Sequence, residues 1–461
     1  GRVRQAPRMD ARVGGRPRGS GAAGVPVAVG APPLARGLAA ETARQLGRSL
    51  VTIMQSLLRA AVVSCQRVLG AIVPEVVTAT LAVVLMWTGF DAGLLQPRET
   101  ELARLERKLL RAPKTRGFKF PRSRFKYKFA GKMHAQCRKL YQGRMKFYAK
   151  ECQRYWLKMP LLLQRWITNS LFLLSIRSKT NQRYLQSHTV EETTIDATVY
   201  GGASNSSLRI LVHRPGPLAP GERPRPAMVY FHGGGAVLYT ADMFSTVMAR
   251  YAVDNDMVVF NVDYSRAPEV KPPGSLLEGA AAVRWVRDNA TELGVDPVRI
   301  AVGGESGGGY VATGTCVELV RQGHEDAVKL CLAIIPMVSD RHVRKDPALE
   351  LEGMDIQAGM ELEFIYKYLA RDGDVSQHLQ DPNWFPILGV NERFPPTVVM
   401  TAEFDTFRGH AEEFAEKLHQ HGRLREFVCH PGVTHGYYMD MEHSAAGMFW
   451  EDSKSILTTW L

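Results

Sequence analysis

The sequence predicts an α/β fold in which helices cover both faces of a mostly parallel central sheet. From about Glu191 onward, short apolar segments that end in turn residues alternate with longer segments of helical periodicity. Such alternation is typical of strand–helix–strand units, which place their strands parallel in one sheet. A second observation agrees: the text GESGG stands between an apolar segment and a helical one, as at a sharp strand-to-helix turn.

The elements follow one another in a regular order along this region. The alternating segments TIDATVYG and SLRILVHRP predict a first pair of strands, and AMVYF and MVVFNVDY predict two more. LLEGAAAVRWVRDNA predicts a helix, and RIAVGGESGGGYVATGTCVELV predicts a strand, a turn and a helix. KLCLAIIP and PTVVMTAEFD predict strands, and HAEEFAEKLHQHG predicts a helix that ends at Gly422. Residues 341–392 break this rhythm, and we expect them to form a helical cap inserted after a strand.

The length of 461 residues predicts one large domain with extensions. Residues 1–60 are rich in Arg, Gly, Ala and Pro without apolar periodicity, which predicts a disordered or targeting segment. Residues 61–190 form a hydrophobic and basic extension that is either membrane-associated or part of the cap. Residues 191–461 form the main domain and contain the cap at about 341–392.

The formal net charge of +12 is concentrated near the N-terminus. Residues 101–160 contain 19 Lys and Arg against 3 acidic residues, and residues 1–60 contain 10 Arg against 2 acidic residues. The remainder of the chain is therefore acidic, and attraction to anionic partners belongs to the N-terminal third. An anionic membrane surface is the partner that residues 61–175 suggest, and a solvated basic face packed by its own aromatic residues is the equal alternative. Nucleic acid is disfavoured, because the alternating aromatic and basic residues of 118–132 match no known module.

A membrane span and the compartment are both left open by the sequence. Residues 68–90 carry Glu75 as their one charged residue, but Pro74 and Glu75 interrupt the apolar text, which suits a buried helix equally well. We expect an intracellular protein, with membrane association and organelle import as alternatives. The oligomeric state is not indicated.

The six cysteines predict neither a metal site nor a redox motif. The sequence contains no C-x-x-C pair and no Cys/His grouping with zinc-ligand spacing. Cys316 and Cys331 lie in apolar text and are expected to be small buried core residues. The chemistry predicted below needs no metal and no organic cofactor.

Gly304–Gly308 reads Gly-Glu-Ser-Gly-Gly and fits the G-x-S-x-G pattern. The apolar residues Ile300–Val302 precede it and helical text follows it, which is the setting that the pattern requires. Because this turn is sharp and strained, its neighbours are glycines and its serine hydroxyl projects from the sheet. Ser306 is therefore the predicted nucleophile, with Glu305 in a supporting position. An ordinary glycine-rich turn and a nucleotide-binding loop are the alternatives.

His232–Gly235 reads His-Gly-Gly-Gly and directly follows the predicted strand AMVYF. Glycines at this place allow backbone N–H groups to approach a substrate carbonyl oxygen and to stabilise a tetrahedral oxyanion. The predicted oxyanion donors are the N–H groups of Gly233, Gly234 and Gly307. His232 is expected to brace this loop rather than to transfer protons.

Four stretches, in order, resemble the hormone-sensitive lipase family of α/β hydrolases, which includes arylacetamide deacetylases and many microbial esterases. They are HGGG at 232–235, DYSRAPE at 263–269, GESGG at 304–308, and the late pair of Asp405 and His435. The resemblance covers about residues 191–461. Two departures stand out, because the family usually has GDSAG at the nucleophile and D-Y-R-L-A-P-E in the second stretch.

The resemblance implies that Asp405 is the acid and His435 the base of a catalytic triad with Ser306. The chain order Ser, Asp, His also fits the fold. Glu403 is the rival acid and His430 the rival base, but both lie within or at the end of strand-like text. Asp405 and His435 fall just past strand ends, where open sheets of this kind bind their ligands.

These residues predict a serine hydrolase that cleaves short to medium acyl esters through an acyl-enzyme. The expected substrate is a small-molecule ester. A lipase and an amidase or deacetylase of the same fold are alternatives. A further alternative is a non-catalytic ligand-binding receptor, since a fold does not determine a function.

Overall fold

The computed structural model of the chain describes residues 127, 130–138, 156–175, 179–202, 207–217, 221–342, 353–370 and 373–461. The predictions for residues 1–60, for the apolar segment 68–90 and for most of the basic segment 101–160 lie outside these residues. In the described part of the chain, no helix is both long and apolar enough to cross a membrane.

The centre of the fold is one sheet of eight strands in the spatial order β1-β2-β4-β3-β5-β6-β7-β8. The strands are β1 Thr189–Asp196, β2 Ser207–Arg214, β3 Arg225–Phe231, β4 Val258–Val262, β5 Val295–Glu305, β6 Leu330–Ile334, β7 Thr397–Phe404 and β8 Leu424–Thr434. β2 pairs antiparallel with β1 and with β4, whereas all pairs from β4 to β8 are parallel. The predicted α/β fold with a mostly parallel sheet is confirmed.

Helices connect the parallel strands. The α-helices are α1 Leu161–Ser175, α2 Lys179–Gln186, α3 Ser245–Asn255, α4 Gly274–Asp288, α5 Ala290–Leu293, α6 Gly307–Gln322, α7 Gly353–Leu369, α8 Arg408–Gln420 and α9 Ala446–Trp460. Short 3₁₀ helices lie at Ala197–Tyr200, Ala241–Phe244, Glu325–Ala327, Ser376–His378, Pro386–Gly389 and Tyr437–Met439. The helix predicted to reach Gly422 ends at Gln420, and the text ATVY of the first predicted strand is a 3₁₀ helix.

Both faces of the sheet are buried, which explains why its parallel strands read as continuous apolar text. Along β3, Val229 packs into the layer that contains α4, α6 and α8, whereas Met228 and Tyr230 pack into the layer that contains α3 and α9. Successive side chains of a strand point to opposite faces, so each strand contributes to both layers. Cys316 and Cys331 lie in the first layer and are fully buried, as expected for core residues.

α7 lies in the predicted cap and packs against α1, although almost two hundred residues separate them. The hydroxyl of Tyr368 donates to Oε1 of Gln164 at 2.7 Å, and the amide of Gln164 donates to the carbonyl of Trp156. The ring of Trp156 also contacts that of Phe364, with centroids 6.2 Å apart. α1 is therefore packed against the cap, and the contacts cross the predicted boundary at residue 191.

The segment 130–138 is attached to the main domain by backbone hydrogen bonds. The N–H groups of Ala130 and Gly131 donate to the carboxylate of Glu403 at 2.8 and 2.9 Å. The N–H of His134 donates to the carbonyl of Gly432 at 2.6 Å. These contacts hold a part of the N-terminal extension against the ends of β7 and β8.

Candidate active site

Ser306 lies at the sharp turn between β5 and α6, at the carboxyl edge of the sheet. Its backbone has φ 56° and ψ −120°, a strained conformation for a residue with a side chain. The surrounding backbone fixes this turn: the N–H of Ser306 donates to the carbonyl of Ile334 at 3.0 Å, and its carbonyl accepts from Tyr310 at 3.1 Å. The strand–turn–helix setting predicted for the nucleophile is present.

Two glycines after Ser306 allow this turn to lie against the loop that follows β3. A Cβ atom on Gly308 would lie 2.0 Å from the carbonyl oxygen of Phe231, and one on Gly307 would lie 2.3 Å from the nitrogen of Gly235. Real Cβ contacts are never so short, so the two backbones touch because neither residue carries a side chain. The nucleophile turn and the glycine loop therefore form one unit.

Asp405 and His435 are in direct contact at the same edge of the sheet. Asp405 follows β7, His435 follows β8, and Nδ1 of His435 lies 2.8 Å from Oδ1 of Asp405. The carboxylate is fully buried and accepts a second hydrogen bond from the N–H of Phe407 at 2.7 Å. The His435 side chain is 19% exposed, so the ring connects a buried acid to the open side of the site.

The rival acid and the rival base have structural partners instead. The carboxylate of Glu403 accepts the N–H groups of Ala130, Gly131 and Gly432, all within 2.9 Å. Nε2 of His430 lies 3.1 Å from Oδ2 of Asp452, and both side chains are buried. Glu403 therefore attaches the N-terminal segment, and His430 joins β8 to α9.

His232 is enclosed under the glycine loop. Its ring stacks on Tyr264 and on Phe244, with centroid distances of 4.5 and 5.4 Å, and Nδ1 lies 2.8 Å from the carbonyl of Gly233. Burial lowers the pKa of His232 to about 4, so the ring is neutral near neutral pH. These contacts match the bracing role expected for it.

Glu305 lies beneath the same loop and binds Gly233. Its Oε1 accepts the N–H of Gly233 at 2.6 Å, and its Oε2 accepts the hydroxyl of Tyr230. Burial raises the pKa of this carboxyl well above its usual value. The prediction that Gly233 donates to a substrate oxyanion conflicts with this contact, because its single N–H already has an acceptor.

The next two glycines have amide groups that remain available. Among the described residues, the N–H groups of Gly234 and Gly235 donate to no protein atom. Gly307 is the first residue of α6, where a helix has no internal acceptor for the N–H. Gly235 thus joins Gly234 and Gly307 as a candidate donor. The sequence signal for Gly235 is the third glycine of HGGG.

Arg165 on α1 supports the glycine loop from outside and was not predicted. Its guanidinium donates to the carbonyls of Val237 and Ala267 at 2.9 and 2.8 Å. It also forms a two-point ion pair with Glu269, with distances of 2.7 and 2.8 Å, which lowers the pKa of that carboxyl. Glu269 belongs to the DYSRAPE stretch, and so α1 and this stretch hold the end of the loop together.

α7 covers the site from the cap side. A Cβ atom on Gly235 would lie 2.7 Å from Cγ1 of Ile365, so this side chain rests directly on the glycine loop. One turn earlier, the carboxylate of Glu361 accepts the hydroxyl of Thr406 at 3.1 Å, beside the acid Asp405. α7 therefore contacts both the loop after β3 and the loop after β7.

One group of potential metal ligands lies away from this site. Ligand atoms of His134, Cys137 and His443 lie within 4.8 Å of one another. However, Nδ1 of His443 accepts the N–H of Ala445 at 3.1 Å, and Nδ1 of His134 accepts that of Gln136 at 3.3 Å. In the neutral rings Nε2 then carries the proton, whereas a metal ligand needs it free. We derive no chemistry through a metal here.

Comparison with known proteins agrees with this arrangement. A family model described as the alpha/beta hydrolase fold matches residues 228–439. This part of the chain therefore has the α/β-hydrolase fold. This match supports the resemblance to the hormone-sensitive lipase family inferred from HGGG, GESGG and the late Asp–His pair.

Several esterases are similar to a part of this chain. The chain is 32% identical over 213 residues to an ethyl acetate hydrolase of Pseudomonas putida, which covers 46% of this chain and 65% of the relative. It is 33% identical over 220 residues to the carboxylesterase NlhH of Mycobacterium tuberculosis, covering 46% and 66%. An esterase structure from Pyrobaculum calidifontis superposes with a TM-score of 0.55 at 28% identity, covering 66% of this chain and 94% of that one. The chain thus spans just under two thirds of the curated relatives named here.

Proposed function

We propose that this protein is a serine hydrolase that cleaves small carboxylic esters, with Ser306 as nucleophile, His435 as base and Asp405 as the acid. The observation that carries the proposal is the buried contact between Asp405 and His435 at the sheet edge where Ser306 occupies its strained turn. Nucleophile, base and orienting acid are the parts that such chemistry requires, in the chain order of this fold.

The first half of the reaction forms an acyl-enzyme. His435 takes the proton of the Ser306 hydroxyl through Nε2 while the serine oxygen attacks the ester carbonyl carbon. The tetrahedral intermediate collapses, His435 gives the proton to the leaving alcohol, and the bond between carbonyl carbon and alkoxy oxygen breaks. Asp405 accepts the hydrogen bond of Nδ1–H, which fixes the ring orientation and stabilises the imidazolium without taking its proton.

The second half transfers the acyl group to water. His435 removes a proton from a water molecule, whose oxygen attacks the acyl carbon, and the proton then returns to Ser306. In both halves, the negative oxygen is bound by backbone N–H groups. Gly234, Gly235 and Gly307 are the proposed donors, and each such donor contributes roughly 3 to 4 kcal/mol to transition-state stabilisation.

Esters of short to medium acyl groups are the proposed substrates. Two relatives are named an ethyl acetate hydrolase and a carboxylesterase. The region that matches the α/β-hydrolase family model, residues 228–439, contains all three residues. A lipase or amidase activity would use the same residues. A ligand-binding receptor is disfavoured because His435 is present and contacts its acid.

The test is hydrolysis of p-nitrophenyl acetate, butyrate, octanoate and palmitate by the full chain and by Ser306→Ala. We expect the wild type to show a burst of one acyl group per chain and then turnover, and the variant to lose at least about 10³-fold in kcat. The acyl series ranks esterase against lipase activity, and a p-nitroanilide series tests the amidase alternative.

A matched control is Ser376→Ala, since Ser376 is an exposed serine in a 3₁₀ helix of the cap. This control should retain wild-type turnover. If the wild type is folded and hydrolyses none of these substrates, or if Ser306→Ala keeps its activity, the proposed mechanism is wrong.

A further inference from the structure

α1 carries an apolar stripe that faces solvent. The side chains of Leu162, Trp166 and Leu173 are 79%, 63% and 40% exposed. Successive residues of an α-helix are rotated by about 100°, so these three side chains fall within about 40° of one another around the helix. Leu162 and Leu173 are about 16 Å apart along the helix axis. We call these three residues the α1 stripe.

The opposite side of α1 is the side that packs against the protein. Gln164 and Ile167 are buried there, and Arg165, on the flank between this side and the stripe, donates to the loop after β3. α1 thus already has its apolar contacts with the fold, and the stripe is an additional apolar surface. A surface helix normally places polar residues there.

The other large apolar side chains that are exposed in the described part of the chain are scattered. They are Val190, Val199, Val298 and Leu388, each in a different element. Single exposed apolar residues are normal on protein surfaces, whereas three large ones on one face of one helix indicate an interaction surface. The stripe contains the only tryptophan among these exposed residues.

The charge of the adjacent sequence indicates what binds this stripe. Residues 101–160, which end where α1 begins, carry 19 Lys and Arg against 3 acidic residues. A basic segment next to an exposed row of Leu and Trp is the combination that binds an anionic membrane surface, because cations contact headgroups and apolar side chains enter the boundary below them. Tryptophan is favoured at that depth.

We propose that the α1 stripe docks the protein on a lipid surface, and the positive charge of the preceding sequence indicates that the lipid is anionic. α1 would lie parallel to the surface, with Leu162, Trp166 and Leu173 inserted among the headgroups and upper acyl chains. On the flank of α1 beside the stripe, Arg165 contacts the loop after β3, so the docked surface adjoins the wall of the candidate active site. This proposal does not depend on the hydrolytic activity.

The experiment is sedimentation of the full chain with vesicles of phosphatidylcholine, with and without phosphatidylserine. The test variant carries Leu162→Gln, Trp166→Gln and Leu173→Gln, which keep good helix formers on α1. The control variant carries Val199→Gln and Val298→Gln, since these valines are 68% and 72% exposed on other elements. We expect wild type and control to bind vesicles with phosphatidylserine, and the stripe variant to lose at least about tenfold in partition coefficient.

Several results would overturn the proposal. They are absence of binding by the wild type, equal binding to vesicles without phosphatidylserine, and unchanged binding of the stripe variant. A wild type that is oligomeric in solution and becomes monomeric in the stripe variant would instead assign the stripe to self-association. Circular dichroism and thermal unfolding of both variants show whether they are folded, and neither measurement depends on ester hydrolysis.

Discussion

At the scale of single residues, Gly307 shows how closely the nucleophile turn and the glycine loop are matched. The family usually carries alanine after its nucleophile, but here a Cβ atom would lie 2.3 Å from the nitrogen of Gly235 and 2.5 Å from its Cα. Both partners are backbone atoms, so they can make room only if the loop itself moves. The glycine that departs from the family pattern is therefore required by this backbone.

We predict that Gly307→Ala lowers kcat/KM for p-nitrophenyl butyrate by at least about tenfold. Gly307 is helical and tolerates alanine in its conformation, so the loss would come from displacement of the Gly234 and Gly235 donors. The matched control is Gly447→Ala, because a Cβ there meets nothing within 4 Å and lies in α9. This control should keep full activity, and equal activity of both variants would contradict the steric argument.

The sequence predicts the role of a residue well when that role depends on neighbouring residues in the chain. It predicts the role poorly when contacts with distant residues decide it. Ser306, Asp405 and His435 follow strand ends, which apolar text reveals, and the last two do meet. The exclusion of Gly233 depends on a bond to Glu305, seventy-two residues away. No local pattern indicates which amide of HGGG the Glu305 carboxyl binds, so the sequence could not show that the N–H of Gly233 has an acceptor.

At the scale of elements, α7 is the part of the cap that contacts the candidate site. Ile365 rests on Gly235, and Glu361 binds Thr406 beside the acid. Ile365 is 7% exposed and branched at Cβ, so it fills the space above the glycine loop with little freedom to move. We infer that its side chain limits the size of the group that can lie beside the reacting carbonyl.

We predict that Ile365→Ala shifts the substrate profile towards bulkier acyl groups. The ratio of kcat/KM for p-nitrophenyl pivalate to that for the acetate should rise by about tenfold, the usual effect of one or two methylenes in a pocket. The control is Leu369→Ala, which removes a buried apolar side chain one turn further along α7. Each variant should lose about 2 to 5 kcal/mol of stability. An identical shift in both profiles would mean that loosening of the cap, not Ile365, is responsible.

Elements with a strong hydrophobic period were predictable from the sequence, whereas the packing of α1 against α7 was not. The parallel strands β3 to β7 are buried on both faces and read as apolar text, so the sequence located each of them. β8 was not among the predicted strands, because its text LREFVCHPGVT mixes charged and apolar residues. α1 packs on α7 through Gln164, Trp156 and Phe364, which are far apart in the sequence. Because such a contact leaves no periodic signal, the sequence left open whether residues 61–190 belong to the cap.

At the scale of the whole molecule, the free energy of unfolding depends on pH through a histidine pair, of which His213 is fully buried. Nδ1–H of His188 donates to the carbonyl of Tyr184 at 2.9 Å, which leaves its Nε2 to accept Nδ1–H of His213 at 3.0 Å. Nε2 of His213 is then unprotonated, is buried and has no partner among the described residues. Burial lowers the pKa of His213 to about 3.

Because the pKa of His213 is lower in the folded chain than in the unfolded chain, acidification destabilises the fold. Above pH 6.5, His213 is neutral in both the folded and the unfolded chain, and its full contribution to stability is present. As the pH falls from 6.5 towards 3, the unfolded chain binds a proton that the folded chain does not, and stability decreases by about 1.4 kcal/mol per pH unit. The loss from this residue between pH 6.5 and 5 is therefore about 2 kcal/mol.

We predict that His213→Asn makes the free energy of unfolding less dependent on pH by about 2 kcal/mol between pH 7 and 5. Asparagine can keep the donor to His188 but does not titrate, so the variant loses the acid sensitivity even if it is less stable at pH 7. Urea unfolding at the two pH values measures the difference, with His419→Asn as the control because His419 is exposed. If His213→Asn and the wild type lose the same free energy on acidification, then protonation of this buried ring does not contribute to the acid sensitivity of the fold.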